Sequence, residues 1–131
     1  MNDLIKQIKK ARFIWVCGNG GSAATAEHFV TDLVKKGYPA IALSSNTSVI
    51  TMIANDYGYD EIFRKQLDVF ATNEDLVILI SCSGTSKNIV KAFRPYRYWC
   101  YQFETFGNNR QDYAKLEDKH LKFAHEVAAA L

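Results

Sequence analysis

The sequence predicts an α/β fold, a three-layer sandwich in which a parallel sheet of about four strands is flanked by helices. Short apolar segments alternate with longer segments of helical pattern, which calls for a doubly wound parallel sheet. One segment, Leu76–Ile80, is apolar at every position, as expected of a strand buried on both faces. The length of 131 residues suits one domain spanning 1–131.

The individual elements follow from local signals. A β-branched and aromatic run predicts a strand over 13–17, glycine and proline signals predict where helices end, and Pro95 stops a helix before it. The first half is predicted to contain a helix over 2–11, the strand over 13–17, a helix over 22–36 ending at Gly37 and a strand over 40–44. The second half is predicted to contain helices near 47–54 and 60–70, a strand over 75–80, a helix over 86–93, a strand-like aromatic stretch over 98–106 and a closing helix over 110–131.

Composition excludes several classes of function. Sixteen Lys and Arg against fourteen Asp and Glu leave a net charge of +2, without a basic stripe, so nucleic acid is not an expected partner. No apolar run reaches membrane-spanning length or forms a signal-peptide core, so we expect a cytoplasmic protein with no membrane contact. Cys17, Cys82 and Cys100 are odd in number and lack metal-type spacing, which favours reduced thiols.

The segment after the first strand has the pattern of a phosphate-binding loop. It reads Cys-Gly-Asn-Gly-Gly-Ser over 17–22 and leads into a helix. Helix-start amides attract anions, and glycine lets a ligand approach the backbone. A lone glycine cluster is more often a turn. The helix strengthens the functional interpretation, because His28 and Asp32 are spaced i,i+4 and share one face about a turn beyond the loop.

A second loop of this kind follows the strand at 75–80. It reads Ser-Cys-Ser-Gly-Thr-Ser over 81–86. Taken alone, its hydroxyls are better explained as helix caps or turn residues. Two such loops at the carboxyl ends of two parallel strands instead predict one crevice. The ligand that suits both loops carries a phosphate and several hydroxyls.

Both loops and the segments around them resemble the SIS (sugar isomerase) domain family, and within it the phosphoheptose isomerases. The similarity is nearly continuous over 13–93 and resumes over 115–125. Its most particular motifs are the His28/Asp32 pair and the Ala-Asn-Asp-Tyr-Gly-Tyr segment at 54–59. The resemblance nearly vanishes over 94–111 and implies that one central strand of the family's sheet is missing. The aromatic side chains at 96–106 are expected in the core or an interface.

The resemblance implies metal-assisted isomerisation of sedoheptulose 7-phosphate to glycero-manno-heptose 7-phosphate through an enediol. Asp32 corresponds to the family's glutamate base and ligand, and His125 to its histidine partner, so both are expected to be catalytic. One Zn²⁺ per site would be held by His28, Asp32, Glu117 and His125. The expected contacts with the phosphorylated seven-carbon sugar are Asn19, Gly20, Gly21, Ser22, Asn55, Asp56, Ser81, Cys82, Ser83, Ser86 and Glu117.

Three of these positions depart from the family. Asp32 replaces glutamate, a shortening of about 1 Å that is expected to cost roughly a hundredfold in rate. Glu117 replaces glutamine and adds negative charge, so we expect tighter metal binding and weaker Lewis acidity. Cys82 replaces threonine, a milder change. Ser22 is also expected to cap its helix, and His120 to have a solvated or capping role.

Glu117 and His125 imply a site shared between subunits. They lie eight positions apart, or about 12 Å along one helix, too far for one ion. We therefore expect a homo-oligomer, a dimer or tetramer, with sites between subunits. Two alternatives stay open: a non-catalytic SIS module that binds a phosphosugar or a protein partner, and a degenerate relative that folds without turnover. Asn55 and Asp56 are about as well explained by a turn as by substrate contact.

Overall fold

The computed structural model describes residues 1–93, 99–103 and 112–131. The strands are β1 (Ile14–Gly18), β2 (Ala40–Ala42), β3 (Leu76–Ile80) and β4 (Trp99–Gln102). The helices are α1 (Asn2–Lys10), α2 (Gly21–Lys35), α3 (Thr47–Tyr57), α4 (Arg64–Phe70), α5 (Lys87–Ala92) and α6 (Tyr113–Ala129), with a 3₁₀ helix at Tyr59–Glu61. The helix predicted over 60–70 is divided into the 3₁₀ helix and α4, and the two residues between them, Ile62 and Phe63, are buried in the core.

The described strands form one parallel sheet in the order β2-β1-β3-β4. This confirms the predicted class and the number of strands. The strands β1 and β3 are central and buried at every position. Pairing is continuous from β2 to β4, so the described sheet has no gap at its centre. The weak resemblance over 94–111 led us to expect that one central strand is missing. The described residues show no such loss.

Two cores cover the faces of the sheet and establish the three layers. Alternate residues of β1 point to opposite faces: Ile14 and Val16 join the first core, whereas Trp15 and Cys17 join the second. The first core is closed by α1, α2 and α6, and the second by α3, α4 and α5. Because α2 and α6 lie on the same face, residues distant in sequence on these two helices are brought side by side.

The aromatic segment contributes to the first core at Phe103. This residue is 2% exposed, and its ring lies 6.1 Å from Phe29 and 5.0 Å from Phe123 between centroids. The core interpretation is confirmed for Phe103. Positions 96–98 and 104–106 of the same aromatic stretch lie outside the described residues, as do 110 and 111 of the predicted closing helix. No helix in the described ranges is long and apolar enough to cross a membrane.

Candidate functional site

The two predicted loops meet at the carboxyl edge of the sheet. They follow β1 and β3, which pair directly, with Gly18 opposite Ile80. Between them lies a cleft of about 260 Å³, closed on one side by Tyr113 and Glu117 of α6. It is lined by nine of the loop and strand-end residues: Asn19, Gly20, Gly21, Ser22, Ile80, Ser81, Cys82, Ser83 and Ser86.

Glycines shape the first loop. At Gly18, a Cβ atom would lie 2.3 Å from the carbonyl oxygen of Ser22, so only glycine lets β1 approach the first turn of α2. Gly20 has φ 54° and ψ −122° and is the N-cap of α2. The prediction that Ser22 caps the helix is therefore wrong. The helix begins one residue earlier, and Ser22 lies inside its first turn, 5% exposed.

Backbone amides and hydroxyls organise the second loop. The amide of Gly84 donates to Ser81 Oγ at 3.0 Å, and the amide of Thr85 donates to Ser83 Oγ at 3.2 Å. Ser86 is the N-cap of α5 but makes no side-chain cap bond. It lines the cleft instead. The capping alternative thus does not explain Ser86, which remains available to a ligand in the cleft.

Cys82 lies beside Ser22 and Glu117 at the base of the cleft. Burial raises the pKa of the Cys82 thiol, the hydrogen bond with Ser22 lowers it, and the negative charge of Glu117 raises it. The thiol is therefore protonated at neutral pH and acts as a small polar group facing the cleft, not as a nucleophile. Burial also raises the pKa of Cys100, to about 12, and that of Cys17; all three cysteines are free.

Replacing Glu117 by Gln should lower the pKa of Cys82, because the nearby carboxylate charge is removed while the shape is retained. The pKa is measured from thiolate absorbance against pH, with a Cys82→Ser protein subtracted to assign the signal. Glu126→Gln makes the same change at an exposed position of α6 and should leave the pKa of Cys82 unaltered. An equal pKa for the Glu117→Gln and unsubstituted proteins would show that Glu117 does not act on the thiol.

A second cluster lies where α2 packs against α6. Asp32 Oδ2 is 3.3 Å from His125 Nδ1 and 3.7 Å from His28 Nε2, and the two imidazole rings meet edge to face at 4.8 Å. One ligand atom from each of the three residues lies within 4.8 Å of the others. Asp32 Oδ2 is buried without a hydrogen-bond partner among the described residues. Two imidazole nitrogens around a buried carboxylate oxygen form a donor set that fits a divalent metal ion.

The remaining predicted site residues lie elsewhere. Glu117 is two turns before His125 on an unbroken α6 and sits over Gly21, whose added Cβ would overlap its carboxylate. It lines the cleft and is outside the three-residue cluster. Asn55 and Asp56 occupy the exposed last turn of α3 and are hydrogen-bonded to each other at 2.9 Å. They do not line the cleft. The turn that was the alternative to substrate contact is replaced by helix, because α3 continues to Tyr57.

Two polar residues have places that the sequence does not indicate. Asn88, only 2% exposed, pairs its amide with that of Asn19 in the first loop. An asparagine after a loop carries no local signal for such a distant contact. His120 is 3% exposed and its ring lies 5.6 Å from Phe103. The predicted solvated or capping role of His120 is therefore wrong, because it occupies the inward face of α6.

Comparison with known proteins connects both parts of the site to one family. The SIS domain family matches residues 2–97. The chain is similar to the phosphoheptose isomerase of Helicobacter pylori strain P12, with 47% identity over 96 residues, 69% of this chain and 50% of the relative. For the phosphoheptose isomerase of Campylobacter concisus strain 13826, identity is 32% over 95% of this chain and 77% of the relative. The chain thus spans about half the length of the first of these relatives.

The same similarity holds for the three-dimensional structure. The phosphoheptose isomerase GmhA from Neisseria gonorrhoeae superposes with a TM-score of 0.84 at 27% identity, over 97% of this chain and 79% of that one. The superposition therefore includes the part of the chain beyond β3, where sequence similarity is weakest.

Proposed function

The chain belongs to the SIS domain family, and from that membership we propose that it isomerises sedoheptulose 7-phosphate to glycero-manno-heptose 7-phosphate. The observation that carries the proposal is the conjunction of a two-loop cleft suited to a phosphosugar with the His28, Asp32 and His125 cluster. A binding module would need the cleft but not a carboxylate oxygen that is buried and flanked by two imidazoles. We place the reaction in the cytoplasm, where reduced cysteines are expected.

The phosphate of the substrate would bind at the start of α2. The first amides of a helix have no intrahelical partners and carry the positive end of its dipole. An added Cβ at Gly20 would meet nothing within 4 Å, so the helix start is open on that side, whereas the Glu117 carboxylate lies over Gly21. The hydroxyls of Ser83 and Ser86 line the opposite side of the cleft. Uncharged donors of this kind hold a phosphate while leaving the sugar hydroxyls to the rest of the cleft.

Zinc is the metal that we assign to the three-residue cluster. Two histidine nitrogens and one carboxylate, with a further position open, are typical of catalytic zinc. When bound, zinc polarises the substrate carbonyl as a Lewis acid. A fourth ligand from Glu117 would have to come from another subunit, because α6 is continuous from Tyr113 to Ala129.

Asp32 and His125 are the groups that we propose to move protons. Asp32 takes a proton from C1 of the ketose, and His125 gives one to the C2 oxygen, which forms the enediol. His125 then takes the proton of the C1 hydroxyl, and Asp32 returns its proton to C2, which yields the aldose. The 3.3 Å between Asp32 Oδ2 and His125 Nδ1 holds the acid and the base close enough to serve adjacent substrate atoms.

The function is tested by turnover before and after removal of zinc. The purified protein should convert sedoheptulose 7-phosphate to the aldose phosphate, lose this activity on dialysis against a chelator and regain it when zinc is added. Sedoheptulose without phosphate should be a much poorer substrate, because it lacks the group that the helix start binds. A folded, zinc-loaded protein that does not turn over the phosphorylated sugar would overturn the proposal.

We also propose that the site is completed by a second copy of the chain in a homo-oligomer. Proteins carrying Glu117→Ala and His125→Ala, each inactive alone, should then regain activity when unfolded and refolded together. Mixed oligomers contain some sites in which both residues are intact. Each variant refolded with itself is the control. Absence of recovery in proven mixed oligomers would show that each site draws both residues from one chain, and Glu117 would then act only in the cleft beside Gly21.

A further inference from the structure

The first loop is tied to α5 by a pair of side-chain amides. Asn19 Nδ2 donates to Asn88 Oδ1 at 2.9 Å, and Asn88 Nδ2 donates back to Asn19 Oδ1 at 2.8 Å. These residues are 69 positions apart in the chain. Asn19 lies just after β1, whereas Asn88 lies in the first turn of α5, directly after the second loop. The amide pair therefore connects the two loops that line the cleft.

The environment of the pair gives it a fixed geometry. Asn88 is 2% exposed, and its Oδ1 also accepts the amide of Ile89 at 2.9 Å. Asn19 Oδ1 accepts a further bond from the hydroxyl of Tyr59 at 3.2 Å. The side-chain oxygen and nitrogen of Asn19 are thus both engaged by the protein. A buried amide whose partners are satisfied holds one orientation, because every alternative leaves polar atoms unpaired.

We propose that Asn88 is a positioning residue that holds the first loop at a fixed distance from the second through the side chain of Asn19. Asn19 then contributes to ligand binding by fixing the backbone of Gly20 and Gly21. Two loops held as one unit need no reordering when a phosphorylated sugar spans them, and preorganisation of this kind increases affinity. The inference rests on the proposed function only for the identity of the ligand.

The test combines affinity with the mobility of the loop. Asn88→Ala should weaken binding of sedoheptulose 7-phosphate by about tenfold, the size expected for two lost hydrogen bonds. Binding is followed by calorimetric titration. Asn88→Asp keeps the size of the side chain and should weaken binding at least as much, because it places two oxygens face to face. Tyr59→Phe, which removes one bond at an exposed edge, should have a much smaller effect. Asn73→Ala, the same change in an exposed turn before β3, should have none.

A double-mutant cycle separates the pair from general destabilisation. In the Asn19→Ala background, adding Asn88→Ala should change affinity little, because the contact is already absent. Full additivity of the two losses would overturn the proposal. Zinc binding by His28, Asp32 and His125 should be the same in every variant, a readout that an unfolding defect would alter.

Amide hydrogen exchange decides the question without any ligand. The amides of Ser22 and Ala23 donate to the carbonyl oxygen of Asn19 at 2.9 and 3.3 Å and so report on the first loop. In Asn88→Ala, exchange at these two amides should be about tenfold faster, while exchange within α6 stays unchanged. Unchanged exchange at both Ser22 and Ala23 would overturn the proposal even if affinity fell. If the unsubstituted protein binds no phosphorylated sugar, the proposed function fails, and the exchange rates alone then decide whether the amide pair holds the loop.

Discussion

Replacing His125 by alanine should lower turnover of sedoheptulose 7-phosphate by about a thousandfold, the middle of the range expected for a lost proton-transfer group. The same change should abolish stoichiometric zinc binding, because the cluster would keep only His28 and Asp32. The side chain of His125 is 52% exposed, so the metal-free protein should keep its fold. Surface substitutions of this kind usually change the free energy of unfolding by less than about 0.5 kcal/mol.

Three measurements on one preparation test this expectation: turnover, zinc content and the melting temperature of the metal-free protein. Glu126→Ala, at the next position of α6 and outside the cluster, is the matched control and should be normal in all three. The assignment of His125 would be wrong if the variant bound zinc at the original stoichiometry. A His125→Ala protein that lost zinc but kept full turnover would show that isomerisation does not need the metal, and this would contradict the mechanism.

Replacing Gly18 by alanine should destabilise the protein by about 3 kcal/mol or more, because the added methyl group meets backbone that cannot move independently. The Cβ atom would lie 2.3 Å from the carbonyl oxygen of Ser22 and 2.9 Å from the amide nitrogen of Ala23. Relief requires α2 to shift away from β1. That shift would also displace the helix start proposed to bind phosphate, so affinity for the phosphosugar should fall as well.

Gly37→Ala is the control for this substitution. Gly37 has φ +89°, and an added Cβ would meet nothing within 4 Å, so only backbone strain of about 1 kcal/mol is expected. Denaturant unfolding of both variants gives the two changes in the free energy of unfolding. A loss at Gly18 no larger than the loss at Gly37 would show that α2 yields to the added methyl group and that its close approach to β1 does not require glycine at the end of the strand.

The sequence was sufficient for the fold because its signals are local and mutually consistent. The apolar run of β3 and the glycines after β1 predict a buried parallel strand and a strand-to-helix turn, and both are present. The i,i+4 spacing of His28 and Asp32 predicted a shared face of α2. The meeting of that face with His125 depends on the packing of α2 against α6, which was expected only from the resemblance to the family.

The errors concern contacts between distant segments and the exact start of a helix. Ser22 was predicted to cap α2, but a glycine with positive φ begins the helix earlier and turns the serine inward. His120 was predicted to have a solvated or capping role, but the packing of α6 on Phe103 buries it. The position of Asn88 had no local signal, because its side-chain amide forms hydrogen bonds with Asn19, 69 positions away in the chain. Local patterns identify loops and helix faces, whereas pairing across the cleft is decided by tertiary structure.

Isomerisation in deuterated water is the measurement that tests the central claim most directly. The zinc-loaded protein is incubated with sedoheptulose 7-phosphate, and the heptose phosphates are analysed by NMR and mass spectrometry. An enediol mechanism with Asp32 as the base predicts deuterium at C2 in the turnovers in which the proton held by the carboxylate exchanges with solvent before it is returned. Absence of the aldose product, or equal conversion and labelling by an Asp32→Asn protein, would contradict the account.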